Sequence, residues 1–182
     1  MQQFDRIYLC GFMGAGKSTI GRALAERLEL SFQDLDDIIV EKAGKAISSI
    51  FADSGEAKFR ILERKSLLEV SDSHRGVIAL GGGSLQNQQV LDHLKSTGLL
   101  IFIEAPLSLI IERISDDEGR PMLLDEHGKP KEHEQLYEDI ELLYESRLPL
   151  YSQADIIFKV APGETAEQQA ETLISKITNY AS

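Results

Sequence analysis

Residues 6–19 read Arg6-Ile7-Tyr8-Leu9-Cys10-Gly11-Phe12-Met13-Gly14-Ala15-Gly16-Lys17-Ser18-Thr19, and this stretch decides the fold. Arg6–Cys10 is a short β-rich run. Beyond the glycines, Lys17–Leu30 carries apolar residues at Ile20, Leu24 and Leu28, the spacing of a helix. Between strand and helix lies G-x4-G-K-S, from Gly11 to Ser18, the Walker A pattern of a phosphate-binding loop. Its glycines let backbone N–H groups turn inward around phosphate oxygens, and the helix N-terminus adds the positive end of its dipole. Lys17 is suited to the β- and γ-phosphates, Ser18 to Mg²⁺, and Thr19 to a hydroxyl contact near the α-phosphate. A glycine-rich turn without a nucleotide is the plain alternative. The flanking strand and helix favour the phosphate reading.

Outward from this loop, apolar runs alternate with amphipathic stretches. Strands are expected at Phe32–Leu35, Val77–Leu80, Leu99–Ile103 and Ile156–Val160. Helices are expected at Ile38–Ala43, Ile47–Val70, Leu85–Leu94, Pro106–Ile114, Gln135–Leu148 and Thr165–Tyr180, the last with Thr165 as cap and Gln168 three residues on. Such alternation makes βαβ units, hence an α/β fold with a parallel sheet and helices on both faces. One polar stretch, Ser115–Glu134, is long enough to be a lid. The 182 residues form a single domain, 1–182, by the ordinary size of domains.

The chain carries 19 Lys+Arg against 30 Asp+Glu, a net charge of −11. That field repels nucleic acid and anionic membrane surfaces. No run reaches the ~20 apolar residues of a membrane span. The start of the chain lacks the pattern of a secretory signal, and the lone Cys10 forms no internal disulfide, so a cytoplasmic location is expected. The same charge opposes small anions unless local groups outweigh it. Salt screens diffuse charge over ~8 Å at physiological ionic strength, so a Lys, a Mg²⁺ ion and loop amides at contact range can prevail.

The glycine loop alone leaves kinase, ATPase, GTPase and transport-motor readings open. A guanine-reading N-K-x-D is absent, and the length leaves no room for a domain-sized insertion. A small-molecule kinase fits. Asp34 and Asp36 end the second strand, where two acids spaced by one residue point the same way. One could serve a metal and the other an acceptor hydroxyl, while helix capping by Asp36 or Asp37 is the structural alternative. Gly81-Gly82-Gly83 follows the third strand and permits close backbone approach. Arg60 and Arg147, each on a helix, suit a carboxylate. Either could equally serve an ion pair, and Glu63 stands three residues after Arg60. Arg120 lies in the lid candidate, where it could cover phosphoryl oxygens. Arg113 could stack on a base or simply face solvent. The four histidines are scattered, His127 and His133 in the polar stretch are read as solvated, and Cys10 as core.

Taken together, Gly11–Thr19, Phe32-Gln33-Asp34-Leu35-Asp36, Phe59-Arg60, Gly81–Gly83, Arg120-Pro121-Met122-Leu123 and Arg147-Leu148-Pro149-Leu150-Tyr151 resemble the shikimate kinases in order and spacing, over about residues 5–160. The resemblance implies a three-layer P-loop fold with five parallel strands in order 2-3-1-4-5 and a mobile lid. It implies ATP-dependent phosphorylation of the 3-hydroxyl of shikimate, in the chorismate pathway to aromatic amino acids; action as a monomer is the expectation for partners. Gly14, Ala15, Gly16, Lys17, Ser18 and Thr19 would hold ATP, with Ser18 and Asp34 at Mg²⁺. Asp36 would meet the acceptor hydroxyl, and Lys17, Asp36 and Arg120 would be catalytic. Arg60, Arg147 and the Gly82 backbone would hold the carboxylate. Arg113 would stack on adenine, and Arg120 would contact the phosphates. Leu124–Glu134 is longer and more polar than the family pattern, and the loop after the fifth strand, Val160–Gly163, matches it weakly. A gluconate- or nucleotide-kinase-like enzyme, or a nucleotide-dependent binding module without transfer, are the alternatives.

Overall fold

The computed structural model describes residues 4–115 and 131–182. The elements in chain order are β1 (Arg6–Cys10), α1 (Lys17–Leu28), β2 (Phe32–Asp34), α2 (Leu35–Ala43), α3 (Ile47–Ser73) and β3 (Gly76–Ala79), followed by α4 (Gln88–Thr97), β4 (Leu99–Glu104), α5 (Leu107–Ser115), α6 (His133–Tyr151), β5 (Ile156–Lys159) and α7 (Ala166–Tyr180). Arg120, His127 and most of the expected lid lie outside the described residues.

The five strands are parallel, in the order β2-β3-β1-β4-β5 that the resemblance implies. Strands β1, β3 and β4 are buried almost throughout, as strands covered on both faces must be, whereas edge strand β5 alternates buried and exposed residues. Side-chain alternation assigns the two faces. Leu9 meets α1 at Gly21, where an added Cβ would stand 2.6 Å from the Phe32 ring and 3.0 Å from Leu9. Tyr8 points the other way, its hydroxyl 3.0 Å from the Thr97 hydroxyl of α4. Cys10 shares that face. Its register partner Phe102 stacks on Tyr151 of α6 with ring centroids 5.1 Å apart. Helices α1 and α7, packed side by side, thus cover one face, and α4 and α6 the other. Cys10 is buried in this core, and burial pushes its thiol pKa up to about 12.

The sharpest departure from the sequence reading is at Asp34. Strand β2 stops there, and α2 begins at Leu35 rather than near Ile38. The Asp34 carboxylate accepts a hydrogen bond from the Asp36 amide at 3.0 Å and so caps α2. Asp34 and Asp36 therefore do not share a strand face, and the cap is neither Asp36 nor Asp37. A side chain that satisfies an orphan helical N–H ends the strand earlier than apolar periodicity suggests. The same effect delays α4: the Asn87 side chain accepts from the Val90 amide at 3.1 Å, so the helix starts at Gln88, not Leu85. Helix α3 runs on to Ser73 and breaks at Gly55, where φ is 75° and ψ 168°.

At α7 the expected cap is present. The Thr165 hydroxyl accepts from the Gln168 amide at 3.3 Å, and the Gln168 side chain accepts from the Thr165 amide at 2.8 Å. Replacing Thr165 with Ala should lower the unfolding free energy by about 1 kcal/mol. Urea denaturation should show a lower midpoint with an unchanged slope.

Candidate active site

The loop between β1 and α1 is built around a left-handed residue. Gly16, at φ 96° and ψ 14°, stands at the N-cap of α1, a conformation that costs a residue with a Cβ. Lys17, only 8% exposed, donates from Nζ to the carbonyls of Gly11 at 3.0 Å and Phe12 at 2.9 Å. The ammonium is thus held over the glycine loop. The Ser18 hydroxyl donates to Asp34 Oδ2 at 2.5 Å, while Oδ1 accepts from the Asp36 amide. Asp34 therefore ties the start of α1 to the start of α2. Arg113 of α5 donates from Nη1 to the Gly14 carbonyl at 3.0 Å, which brings its guanidinium to the edge of the loop.

Gly81–Gly83, at the carboxyl end of β3, is a seam on which three other segments close. A Cβ at Gly81 would stand 2.8 Å from Asp36 Oδ1 and 2.8 Å from Glu63 Oε1. A Cβ at Gly82 would stand 2.9 Å from the Met13 nitrogen of the phosphate loop. A Cβ at Gly83 would stand 2.5 Å from Arg60 Nη1. Each glycine admits a different neighbour, which is why the run is three long.

Two arginines converge on this seam. Arg147 of α6 donates from Nη1 to the Gly82 carbonyl at 2.8 Å, and its guanidinium lies 5.1 Å from the Phe12 ring centroid. The Tyr151 hydroxyl, one turn on, donates to the same carbonyl at 2.5 Å. Arg60 of α3 donates from Nη1 to Glu63 at 2.7 Å, and from Nε and Nη2 to Glu56 at 3.3 and 3.2 Å. Burial works against the Arg60 charge, but the Glu63 and Glu56 carboxylates together outweigh it and raise its pKa above the ordinary value. Glu63 is 1% exposed and also accepts from the Ser84 hydroxyl at 2.9 Å and from Gln86 Nε2 at 3.1 Å. Three donors stabilise this buried carboxylate, as such a group requires.

A groove of about 400 Å³ follows this frame. The strand order sets its ends: Asp36 and Gly82, after β2 and β3, line one, Gly14 and Gly16–Ile20, after β1, the middle, and Glu164, Ala166 and Gln169, after β5, the other, with Arg113 and Asp34 in the wall. The family model described as shikimate kinase matches residues 13–178. The chain belongs to the shikimate kinase family. A shikimate kinase of Nostoc punctiforme is 39% identical over 173 residues, 95% of this chain and 91% of that one. The structure of the shikimate kinase from Acinetobacter baumannii in complex with shikimate superposes with a TM-score of 0.88 at 32% identity, covering 98% of this chain and 95% of that one. The shikimate kinase structure from Bacteroides thetaiotaomicron gives 0.85 at 33% identity, covering 96% and 99%. Like the family, this chain is an ATP-dependent kinase with an alcohol acceptor.

Against the shikimate kinase pattern, the residues singled out in sequence divide clearly. Gly14, Gly16, Lys17, Ser18, Thr19, Asp34, Asp36, Gly82 and Arg113 line one groove, and Ala15 is buried in the loop. Arg60 and Arg147 reach its glycine seam from α3 and α6. Arg120 falls outside the described residues. Sequence reading named Glu63 as a partner of Arg60 but missed Glu56, Ser84, Gln86, the aromatic support of Arg147 and the groove residue Gln169. Glu56, four residues before Arg60, carried a helical-spacing signal. Ser84 and Gln86 carried none, since only the fold brings them to α3.

Glu63→Ala should lower the unfolding free energy by about 2 kcal/mol. The loss stays below that of breaking a fully buried pair because Arg60 keeps Glu56. Urea unfolding checks this, and a change under about 0.5 kcal/mol would remove Glu63 from the structural frame.

Proposed function

We propose that this member of the shikimate kinase family, a single domain over residues 1–182, transfers the γ-phosphoryl group of ATP to the 3-hydroxyl of shikimate. The products are shikimate 3-phosphate and ADP. The observation that carries the reading is the meeting of Asp36, Arg147 and Arg60 on Gly81–Gly83, directly against the phosphate loop. An acceptor that offers both a carboxylate and a hydroxyl suits that set. The two guanidiniums take the carboxylate, with the Gly82 backbone beside them. The hydroxyl then faces Asp36.

Gly14–Thr19 cradle the triphosphate, and Lys17 brings its charge to the transferring group. Asp36 orients the acceptor hydroxyl. The hydroxyl oxygen bonds to the γ-phosphorus as the bond to ADP breaks, and the proton passes to Asp36. Arg120 is the proposed lid residue over the phosphates, and Arg113 the one that stacks on adenine. The oxygens of Ser18 and Asp34 form a hard donor pair that fits Mg²⁺, an ion that takes the rest of its shell from phosphate and water. When bound there, Mg²⁺ neutralises charge on the phosphates. All these groups belong to one chain, in support of action as a monomer. The net charge of −11 speaks against a nucleic-acid partner.

A coupled ADP-release assay with shikimate, quinate, gluconate and nucleoside monophosphates tests the reading. Turnover with shikimate is expected. Turnover with none of them would favour a nucleotide-dependent binding module. Asp36→Asn should retain MgATP binding in calorimetry and lose most turnover, whereas near-normal turnover would take Asp36 off the catalytic list. For Arg60→Ala and Arg147→Ala, the KM for shikimate should rise at least about tenfold, the loss of a charge-assisted hydrogen bond. An effect confined to the KM for ATP would refute the clamp.

A further inference from the structure

We infer that Gln169 reads the base of the nucleotide, its side-chain oxygen accepting the exocyclic amino group of a 6-aminopurine, and so sets a preference for ATP over 6-oxopurine triphosphates. The inference rests on the proposed reading only for which end of the groove takes the acceptor. Asp36 and Gly82 line that end. With the phosphates on Gly14–Thr19 in the middle, the base lies at the opposite end, where Glu164, Ala166 and Gln169 form the wall.

Gln169 is 4% exposed. Its Nε2 donates to the Glu164 carbonyl at 3.2 Å and the Ala161 carbonyl at 3.5 Å. Those two acceptors fix the orientation of the amide, because turning it over would set its oxygen against two carbonyl oxygens. The other end of the amide is then an acceptor. Oε1 is buried, and among the described residues no hydrogen-bond donor reaches it. Among the described residues only one other buried side-chain polar atom is in that state, Ser66 Oγ on α3, which does not line the groove. A buried acceptor without a donor is costly and rare in folded proteins. Its position at the base end explains the cost if the donor arrives with the ligand. Adenine presents an amino group at position 6, whereas hypoxanthine and guanine present an oxygen there. The first satisfies Oε1, and the second sets acceptor against acceptor.

Two measurements on the intact protein test this. With shikimate saturating, kcat/KM for ATP should exceed that for inosine triphosphate at least about tenfold. In calorimetry, ADP should bind at least about fivefold more tightly than purine riboside diphosphate, which lacks the amino group but carries no opposing oxygen. Gln169→Met should bring both ratios close to one, mainly by weakening the adenine nucleotide, and leave the KM for shikimate unchanged. Equal use of both triphosphates by the unaltered protein would overturn the inference. So would an unaltered ratio in Gln169→Met, the result expected of a residue that only packs α7. The diphosphate comparison needs neither turnover nor a variant. It therefore separates failure here from failure of the shikimate reading, and stands even if Gln169→Met does not fold.

Discussion

Close backbone approach at Gly81–Gly83 is the constraint on which the rest of the site depends. Any side chain there would collide with Asp36 and Glu63, with Met13, or with Arg60. Without that seam the phosphate loop could not lie against the carboxyl end of β3. Nor could the arginines of α3 and α6 reach the same few ångströms. The parallel sheet supplies the position, since β1 and β3 are neighbours and both point their carboxyl ends at the groove. The glycines supply the clearance.

Around that seam the polar groups are arranged so that few stand alone. Glu63 holds Arg60, Ser84 and Gln86 together, and Asp34 holds Ser18 and the α2 amide. Arg147 is steadied by Phe12 and shares the Gly82 carbonyl with Tyr151. Groups held this way are oriented in advance, which would reduce the ordering cost of the proposed binding. The Arg60 charge is already compensated by two carboxylates, so the carboxylate of the proposed acceptor would meet a partner that is positioned but not bare.

The acidic character of the chain takes on a different meaning in this light. Between Glu112 and Glu145 the sequence holds twelve acidic and four basic side chains, a net −8 of the −11. The cationic groups at the groove, Lys17, Arg60, Arg113 and Arg147, come from four separate elements. A small cationic site inside an acidic protein fits the small anions of the proposed function, because contact distances escape the screening that weakens the diffuse field.

How much of this was legible beforehand follows from the range of each interaction. The phosphate loop, the alternation of strands and helices and the Thr165 cap are local patterns, set by backbone geometry and side chains within a few residues, so the sequence by itself determined them. The strand order came from resemblance to a family rather than from periodicity, which says nothing about neighbours in a sheet. Asp34 shows where local reading fails. Its two oxygens are divided between an amide two residues on and a hydroxyl on another helix, and that division, not hydrophobic alternation, ends β2. Ser84, Gln86 and Gln169 were silent in sequence because their partners lie on other elements or in loops. Only the tertiary structure decided which polar atoms meet, since a buried group finds its hydrogen-bond partner wherever packing brings one within about 3 Å, whatever the distance along the chain.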